Sequence, residues 1–213
     1  MCGIAGYIGK KQIAKSAIDK TLGLMKNRGP DYQDWRSFIS NDNNIYLLHS
    51  RLSIIDLDER SNQPFSFNGC TLVFNGEIYN YLEVRKELQK KGYTFTTGSD
   101  TEVLLKAYIE YGEDCVQRFN GMWAFAIWDE KNQKLFLSRD RFAEKPLYYF
   151  QDSDGFYFAS EIKAIQSLLQ KKIQINYDYL KRYLVYGYKS MYKTTQTYFH
   201  NIHEIEFASN ATL

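Results

Sequence analysis

No linker is written into this chain. Its 213 residues contain only three prolines, no Ser/Gly-rich tract and no internal repeat, so one domain is expected rather than two small ones. Long hydrophobic runs are missing as well. No window approaches the roughly 18 apolar residues that a membrane span needs. The N-terminus has no basic stretch followed by an apolar one, so no secretory leader is expected. Cysteine is scarce and odd in number. Cys2, Cys70 and Cys115 have no metal-like spacing and read as reduced thiols of a cytoplasmic protein. The three histidines, His49, His200 and His203, are too scattered for a zinc site, and no metal is expected. Neither sign of charge dominates: the net charge is +2 with no basic block, which argues against nucleic acid and anionic membranes as partners. Phosphate loops of the GxxxxGK type, the GxGxxG dinucleotide fingerprint and the G-x-S-x-G nucleophile elbow are all absent.

What the chain does have is aromatic residues, eighteen Tyr and fourteen Phe, which favour strands and a filled core over disorder. "GIAGYIG" reads as a short buried strand. "KQIAKSAIDKTLGLMK" has helical spacing and ends before the turn residues of "NRGPDYQ". "NIYLLHSRLSIIDL" and "CTLVFNGEIYN" read as long strands. "YLEVRKELQKKG" predicts an amphipathic helix stopped by Gly92. "TTGSDTEVLLKAYIEYG" predicts another, with Ser99 or Asp100 as N-cap and Gly112 as its close. Four apolar-aromatic runs, "MWAFAIWD", "KLFLSRD", "PLYYFQD" and "GFYFAS", predict a meander of antiparallel strands, with two helices after it. "FHNIHEIEFASNATL" is weakly patterned and reads as a trailing strand or a cut edge. The expectation is one α+β domain of antiparallel sheets with helices outside.

Cys2 is the first candidate for chemistry. Removal of Met1 would leave a cysteine carrying its own α-amine, whose pKa of roughly 8 lies well below the roughly 10.4 of lysine. A neutral amine beside a thiol can take its proton, directly or through one water. The plain alternative is an inert buried cysteine. Asn75-Gly76-Glu77 follow a strong strand. They read either as a hairpin turn or as an oxyanion hole, with an Asn side-chain N–H and an unobstructed Gly backbone N–H. Arg51 lies within an apolar run and needs a partner, either an internal carboxylate or the carboxylate of a ligand. Ser99-Asp100 read most simply as a helix cap. Cys70, Cys115 and the dense tyrosines read as core.

"MCGIAGYIG", "NRGPDYQ", "SRLSIIDL", "FNGEIYNY", "TGSDTEVLLKAY", "NGMWAFAIWD" and "LSRDRFAEKPLYY" occur in this order. Together they resemble the glutaminase domain of glutamine-dependent asparagine synthetases, a class II glutamine amidotransferase with the N-terminal nucleophile hydrolase fold. The resemblance covers nearly the whole chain and implies a four-layer α/β/β/α sandwich of two antiparallel sheets. It implies that Cys2 attacks the glutamine side-chain amide and passes through a γ-glutamyl thioester. Asn75 and the Gly76 N–H would hold the oxyanion. Arg51 would bind the α-carboxylate, Glu77 and Asp100 the α-ammonium, and backbone groups near Ile54 and Ile55 would line the pocket. The chain departs from the family at Ala143, where Gly is usual, and in lacking a Pro-Gly after "NIHEIEF".

The resemblance implies L-glutamine as substrate and no cofactor for its hydrolysis. ATP and Mg are expected only in a C-terminal synthetase domain, whose Ser-Gly-Gly-x-Asp-Ser loop does not occur here. Residues 1–213 are thus expected to be one glutaminase domain. A synthetase or acceptor domain or subunit is the expected partner, with a homodimer as an open alternative. Two other readings stand beside it: an amidotransferase module serving a different acceptor, and a non-catalytic regulatory domain of the same fold.

Overall fold

A computed structural model of the chain describes residues 1–188 and 194–213. Two antiparallel sheets stack face to face, each with helices on its outer side. The first sheet holds β1 (Gly3–Gly9), β2 (Tyr32–Ser40), β3 (Asn43–Arg51), β8 (Tyr148–Asp152), β9 (Gly155–Ala159) and β10 (Ile202–Glu204), in the order β10-β8-β9-β1-β3-β2. The second holds β4 (Phe65–Phe67), β5 (Cys70–Ile78), β6 (Gly121–Asp129), β7 (Lys134–Arg139) and β11 (Asn210–Thr212), in the order β11-β7-β6-β5-β4. Helices α1 (Lys15–Met25) and α4 (Ile162–Leu169) cover the first sheet. Helices α2 (Tyr81–Lys90) and α3 (Asp100–Tyr111) cover the second. This is the expected four-layer α/β/β/α sandwich. Helix α5 (Tyr177–Tyr186) lies outside these layers with most of its residues exposed.

The layering follows from strand periodicity. Successive side chains of a strand point to opposite faces, and here both faces are covered. On β3, Ile45 and Leu47 enter the core between the sheets, while Tyr46 and Leu48 pack under α1 and α4. On β6, Ala124, Ala126 and Trp128 face the other sheet, while Phe125 and Ile127 face α2 and α3. Burial on two sides explains why these strands read as continuous apolar runs instead of alternating ones.

The structure corrects the sequence reading in several places. The run "NIYLLHSRLSIIDL" is not strand throughout: β3 ends at Arg51, and residues 52–58 form a loop. The expected meander is two separate hairpins, β6-β7 in one sheet and β8-β9 in the other. Local pattern specifies a hairpin but not the sheet it joins. Asn75 and Gly76 do not form a turn; they lie inside β5, opposite Ala124 and Trp123. The weakly patterned C-terminal stretch supplies β10 to one sheet and β11 to the other. Cys115 is buried as expected, in the 3-10 segment that follows α3.

Helix α3 starts as expected. The Ser99 side chain accepts from Thr101 N–H at 3.0 Å, and Gly112 closes the helix with φ of +61°, a conformation that favours glycine. The topology then gathers one end of the sandwich. β1 runs antiparallel to β3 with Gly3 opposite Ser50, so the residue before β1 meets the residue that ends β3. The C-terminal half of β5 and the N-terminus of α3 arrive at the same end.

Candidate active site

One cleft is lined by Cys2, Arg51, Ile54, Ile55, Asn75, Gly76, Glu77 and Asp100. All eight residues singled out in the sequence therefore meet at one place, from both sheets, a loop and a helix N-terminus.

Cys2 is half-buried where the chain enters β1. Its Sγ accepts from Leu52 N–H at 3.3 Å and lies 3.5 Å from Leu52 O, a possible acceptor for the thiol. Burial pushes the thiol pKa above its ordinary value. The Leu52 N–H, the N-terminal amine and Arg51 oppose that shift, and Asp100 reinforces it. A thiol held protonated needs a base before it can attack. Met1 lines the same cleft, at the rim beside Cys2.

Arg51 is 5% exposed. Its guanidinium donates to Asp58 O at 3.1 Å, to Asn62 Oδ1 at 2.6 Å and to Asp56 O. All three acceptors are uncharged. Among the described residues no carboxylate lies within ion-pair distance of it. The internal salt bridge left open by the sequence is therefore absent, and a buried positive charge faces the cleft without a counter-ion. Such a charge is stabilised when an anion binds.

Asn75 is 1% exposed, and its Nδ2 is buried with no hydrogen-bond partner among the described residues. A buried amide donor that no protein group accepts from is available to a ligand. The neighbouring backbone shows what lies beside it. In β5, Phe74 N–H donates to Gln63 Oε1 at 2.6 Å, and Ile78 N–H donates to Asp100 Oδ2 at 3.0 Å. By strand alternation the Gly76 N–H points the same way, between these two and toward the cleft that Gly76 lines. A side chain at position 76 has no room: a Cβ there would lie 2.2 Å from Met122 O. Close packing against β6 thus demands glycine, and the same glycine leaves the cleft side of its N–H unobstructed.

Asp100 supplies the opposite charge. It is 4% exposed, accepts from Ile78 N–H, and has no cationic partner among the described residues. Burial raises its carboxyl to about 6, partly opposed by the N–H groups of Ile78 and Thr101 and reinforced by Glu77. This sets a pH dependence. An ammonium ligand needs the ionised carboxylate, so affinity for an α-amino acid should fall as pH drops through about 6. Asp100→Asn should bind more weakly and without that step. Stability carries the opposite sign: a folded pKa above the unfolded value of about 3.9 favours the folded state at low pH, and that contribution is lost as pH rises toward about 6. Ligand affinity measured from pH 5 to 8 checks this, and a flat profile would remove Asp100 from the ammonium site.

Four residues around the cleft were not foreseen. Arg28, in the "NRGPDYQ" turn, donates from Nε to Cys2 O at 2.9 Å and so holds the residue carrying the thiol. Asp56 joins the two charged ends: its backbone O accepts from Arg51, while its carboxylate accepts from Gly98 N–H at 2.6 Å and Ser61 Oγ at 2.9 Å. Gln63 and His49 hold Phe74 from two sides. Arg28 and Asp56 sit within motifs already singled out, and that proximity was a usable signal. His49, weighed only as a metal ligand, gave none.

A family described as the glutamine amidotransferase domain matches residues 1–213. Asparagine synthetase (glutamine-hydrolyzing) 3 of Bacillus subtilis (strain 168) is 43% identical over 172 residues, which are 78% of this chain and 27% of that protein. Asparagine synthetase (glutamine-hydrolyzing) 1 of the same organism is 40% identical over 195 residues, 88% of this chain and 30% of that protein. The chain thus spans under a third of the length of these two relatives. Among solved structures, the glutamine phosphoribosylpyrophosphate amidotransferase from B. subtilis complexed with ADP and GMP matches with a TM-score of 0.63 at 20% identity, over 82% of this chain and 45% of that one. At that identity the likeness is one of fold.

Proposed function

The chain belongs to the glutamine amidotransferase domain family, and from that premise we propose that it hydrolyses L-glutamine to glutamate and ammonia. The observation that carries this reading is the arrangement of unpaired charges. A buried cation, Arg51, and a buried carboxylate, Asp100, line one cleft, with Glu77 beside them and, among the described residues, no internal counter-ion for either. An α-amino acid carries the complementary pair on a single carbon. The same cleft is lined by Asn75, whose Nδ2 has no hydrogen-bond partner among the described residues, and by Cys2.

In this scheme the carboxylate of glutamine meets Arg51 and its ammonium meets Asp100 and Glu77. The side-chain amide is thereby presented to Cys2. Once Met1 is removed, the freed α-amine takes the thiol proton, and sulfur adds to the amide carbon. Asn75 Nδ2–H and Gly76 N–H stabilise the resulting oxyanion. The amine then returns the proton to nitrogen, ammonia leaves, and a γ-glutamyl thioester remains. Water activated by the same amine attacks the thioester carbon, the C–S bond breaks, and glutamate departs with the thiol restored. The reaction balances with water alone. Ammonia would pass to an ATP-dependent acceptor domain, with aspartate as acceptor, a reading suggested by the names of the B. subtilis relatives. Cytoplasmic location is part of the proposal and rests on the three free cysteines.

The test is glutamate release from glutamine by the chain with Met1 removed. No release, together with no glutamine binding, would sink the reading. Arg51→Ala then separates binding from chemistry. A charge-assisted contact made in both ground and transition states is worth ~1.5–3 kcal/mol, so the Michaelis constant should rise about 10- to 100-fold with kcat nearly unchanged. Unaltered glutamine affinity in Arg51→Ala would make Arg51 a purely structural residue.

A further inference from the structure

The nucleophile and its oxyanion donors stand on different sheets. Cys2 leads into β1 of the first sheet, while Asn75 and Gly76 belong to β5 of the second. Their separation therefore depends on how the sheets register against each other. The layer between them is built from apolar side chains, among them Ile4, Ile45, Leu47, Val73, Ala124 and Trp128. Apolar contact is non-directional and sets register only loosely; a hydrogen bond has a preferred distance and angle.

One such bond crosses the layer beside the site. His49 lies on β3, on the same face as Ile45 and Leu47 and two residues before Arg51. It is fully buried, and its Nε2 stands 3.1 Å from Phe74 O. A carbonyl can only accept, so Nε2 carries the proton and the ring is the Nε2–H tautomer. Phe74 O belongs to the peptide unit that contributes the Asn75 nitrogen, so the bond acts on the backbone of Asn75. Gln63 Oε1 accepts from the N–H of the same residue, Phe74, and its Nε2 reaches Thr101 Oγ1 at 3.3 Å, next to Asp100 on α3. The His49 ring also keeps Nδ1 buried without a partner among the described residues. A leucine would avoid that cost, so packing alone does not call for histidine here. Burial lowers the pKa of the ring to about 3, against a hydrogen bond that works the other way, so it stays neutral at working pH.

We propose that His49 is a positioning residue that sets the distance between the Cys2 nucleophile and the Asn75–Gly76 oxyanion donors, by clamping the Phe74 carbonyl of one sheet from the other. The inference rests on the glutaminase reading of the site. His49 touches no substrate; it acts through β5. A misplacement of about 1 Å at such a site can cost roughly 100-fold in rate.

The experiment compares His49→Leu, His49→Gln and His49→Asn with the wild-type chain, all with Met1 removed. In His49→Leu, kcat for glutamine should fall about 10- to 100-fold, with the Michaelis constant within about twofold. The rate of Cys2 alkylation by iodoacetamide should hardly change, since that reaction uses no oxyanion donor. Gln places its side-chain N–H near the position of Nε2 and should restore most of kcat; Asn is too short and should not. Unchanged kcat in folded His49→Leu would overturn the proposal, as would equal loss in the Gln and Asn variants. If His49→Leu fails to fold, the Gln–Asn comparison decides the matter. A wild-type chain that neither hydrolyses nor binds glutamine would sink the functional reading instead. In that case crystal structures decide the clamp: Asn75 unmoved relative to Cys2 in the His49→Leu or His49→Asn variant overturns it.

Discussion

Cys2→Ala should abolish glutamine turnover, with an expected loss on the order of 10⁴-fold or more, as for removal of a covalent nucleophile elsewhere. A glutamine-like electrophile should label the wild-type chain once, at Cys2. The other two thiols give chemical contrast. Cys70 and Cys115 are buried, and burial pushes each up to about 12. Both stay protonated and out of reach at neutral pH. Cys2 is also raised by burial, so it is no spontaneous thiolate either, and this is why the α-amine matters. An N-terminal extension that keeps Cys2 in a peptide bond removes that amine and should abolish turnover with the thiol intact. Peptide mapping that places the label on Cys70 or Cys115 would overturn the assignment. Full activity in a chain that retains Met1 would show that the base lies elsewhere.

Asn75→Ala carries the second largest expected effect. Loss of one oxyanion donor costs ~2.7–4 kcal/mol of transition-state stabilisation, about 100- to 1000-fold in kcat. The Michaelis constant should barely move, because the donor faces charge that develops only in the transition state. Stability should barely suffer. Most buried amides donate to something, and truncating them orphans a partner. Asn75 Nδ2 has no partner among the described residues, so its removal orphans none of their groups. A variant that loses kcat while keeping its melting temperature fits the oxyanion role. Parallel loss of kcat and fold would instead make Asn75 a structural residue of β5. The two variants differ in a further respect: Asn75→Ala should still accept one label at Cys2, whereas Cys2→Ala accepts none.

The candidate site was legible because several residues that line the cleft are conspicuous in local terms. Arg51 is a charge in an apolar run, Asn-Gly follows a strong strand, and Cys2 abuts the chain terminus. Arg51 conflicts with its local pattern outright, and such conflicts concentrate where function overrides packing. His49 broke no visible rule. A lone histidine in a strand is ordinary, and what distinguishes it is a carbonyl on another sheet. Asp100 was read as both a cap residue and a ligand group, and the structure divides the two: Ser99 caps α3, leaving the Asp100 carboxylate to the cleft.

Sequence alone determined where most strands and helices lie, because apolar spacing, caps and glycine stops act within a few residues. It also determined which side chains had chemistry to offer. Tertiary structure decided everything that depends on which surfaces meet. It assigned β6-β7 and β8-β9 to different sheets. It ended β3 at Arg51, where the guanidinium gathers the following loop through Asp56, Asp58 and Asn62. It turned the Asn75-Gly76 pair from a hairpin signal into strand, because β6 offers that segment a full antiparallel partner. The physical reason is range: propensities and caps are local, whereas the choice of sheet, the absence of a counter-ion for Arg51 and the bond from His49 to Phe74 are settled between residues far apart in the chain.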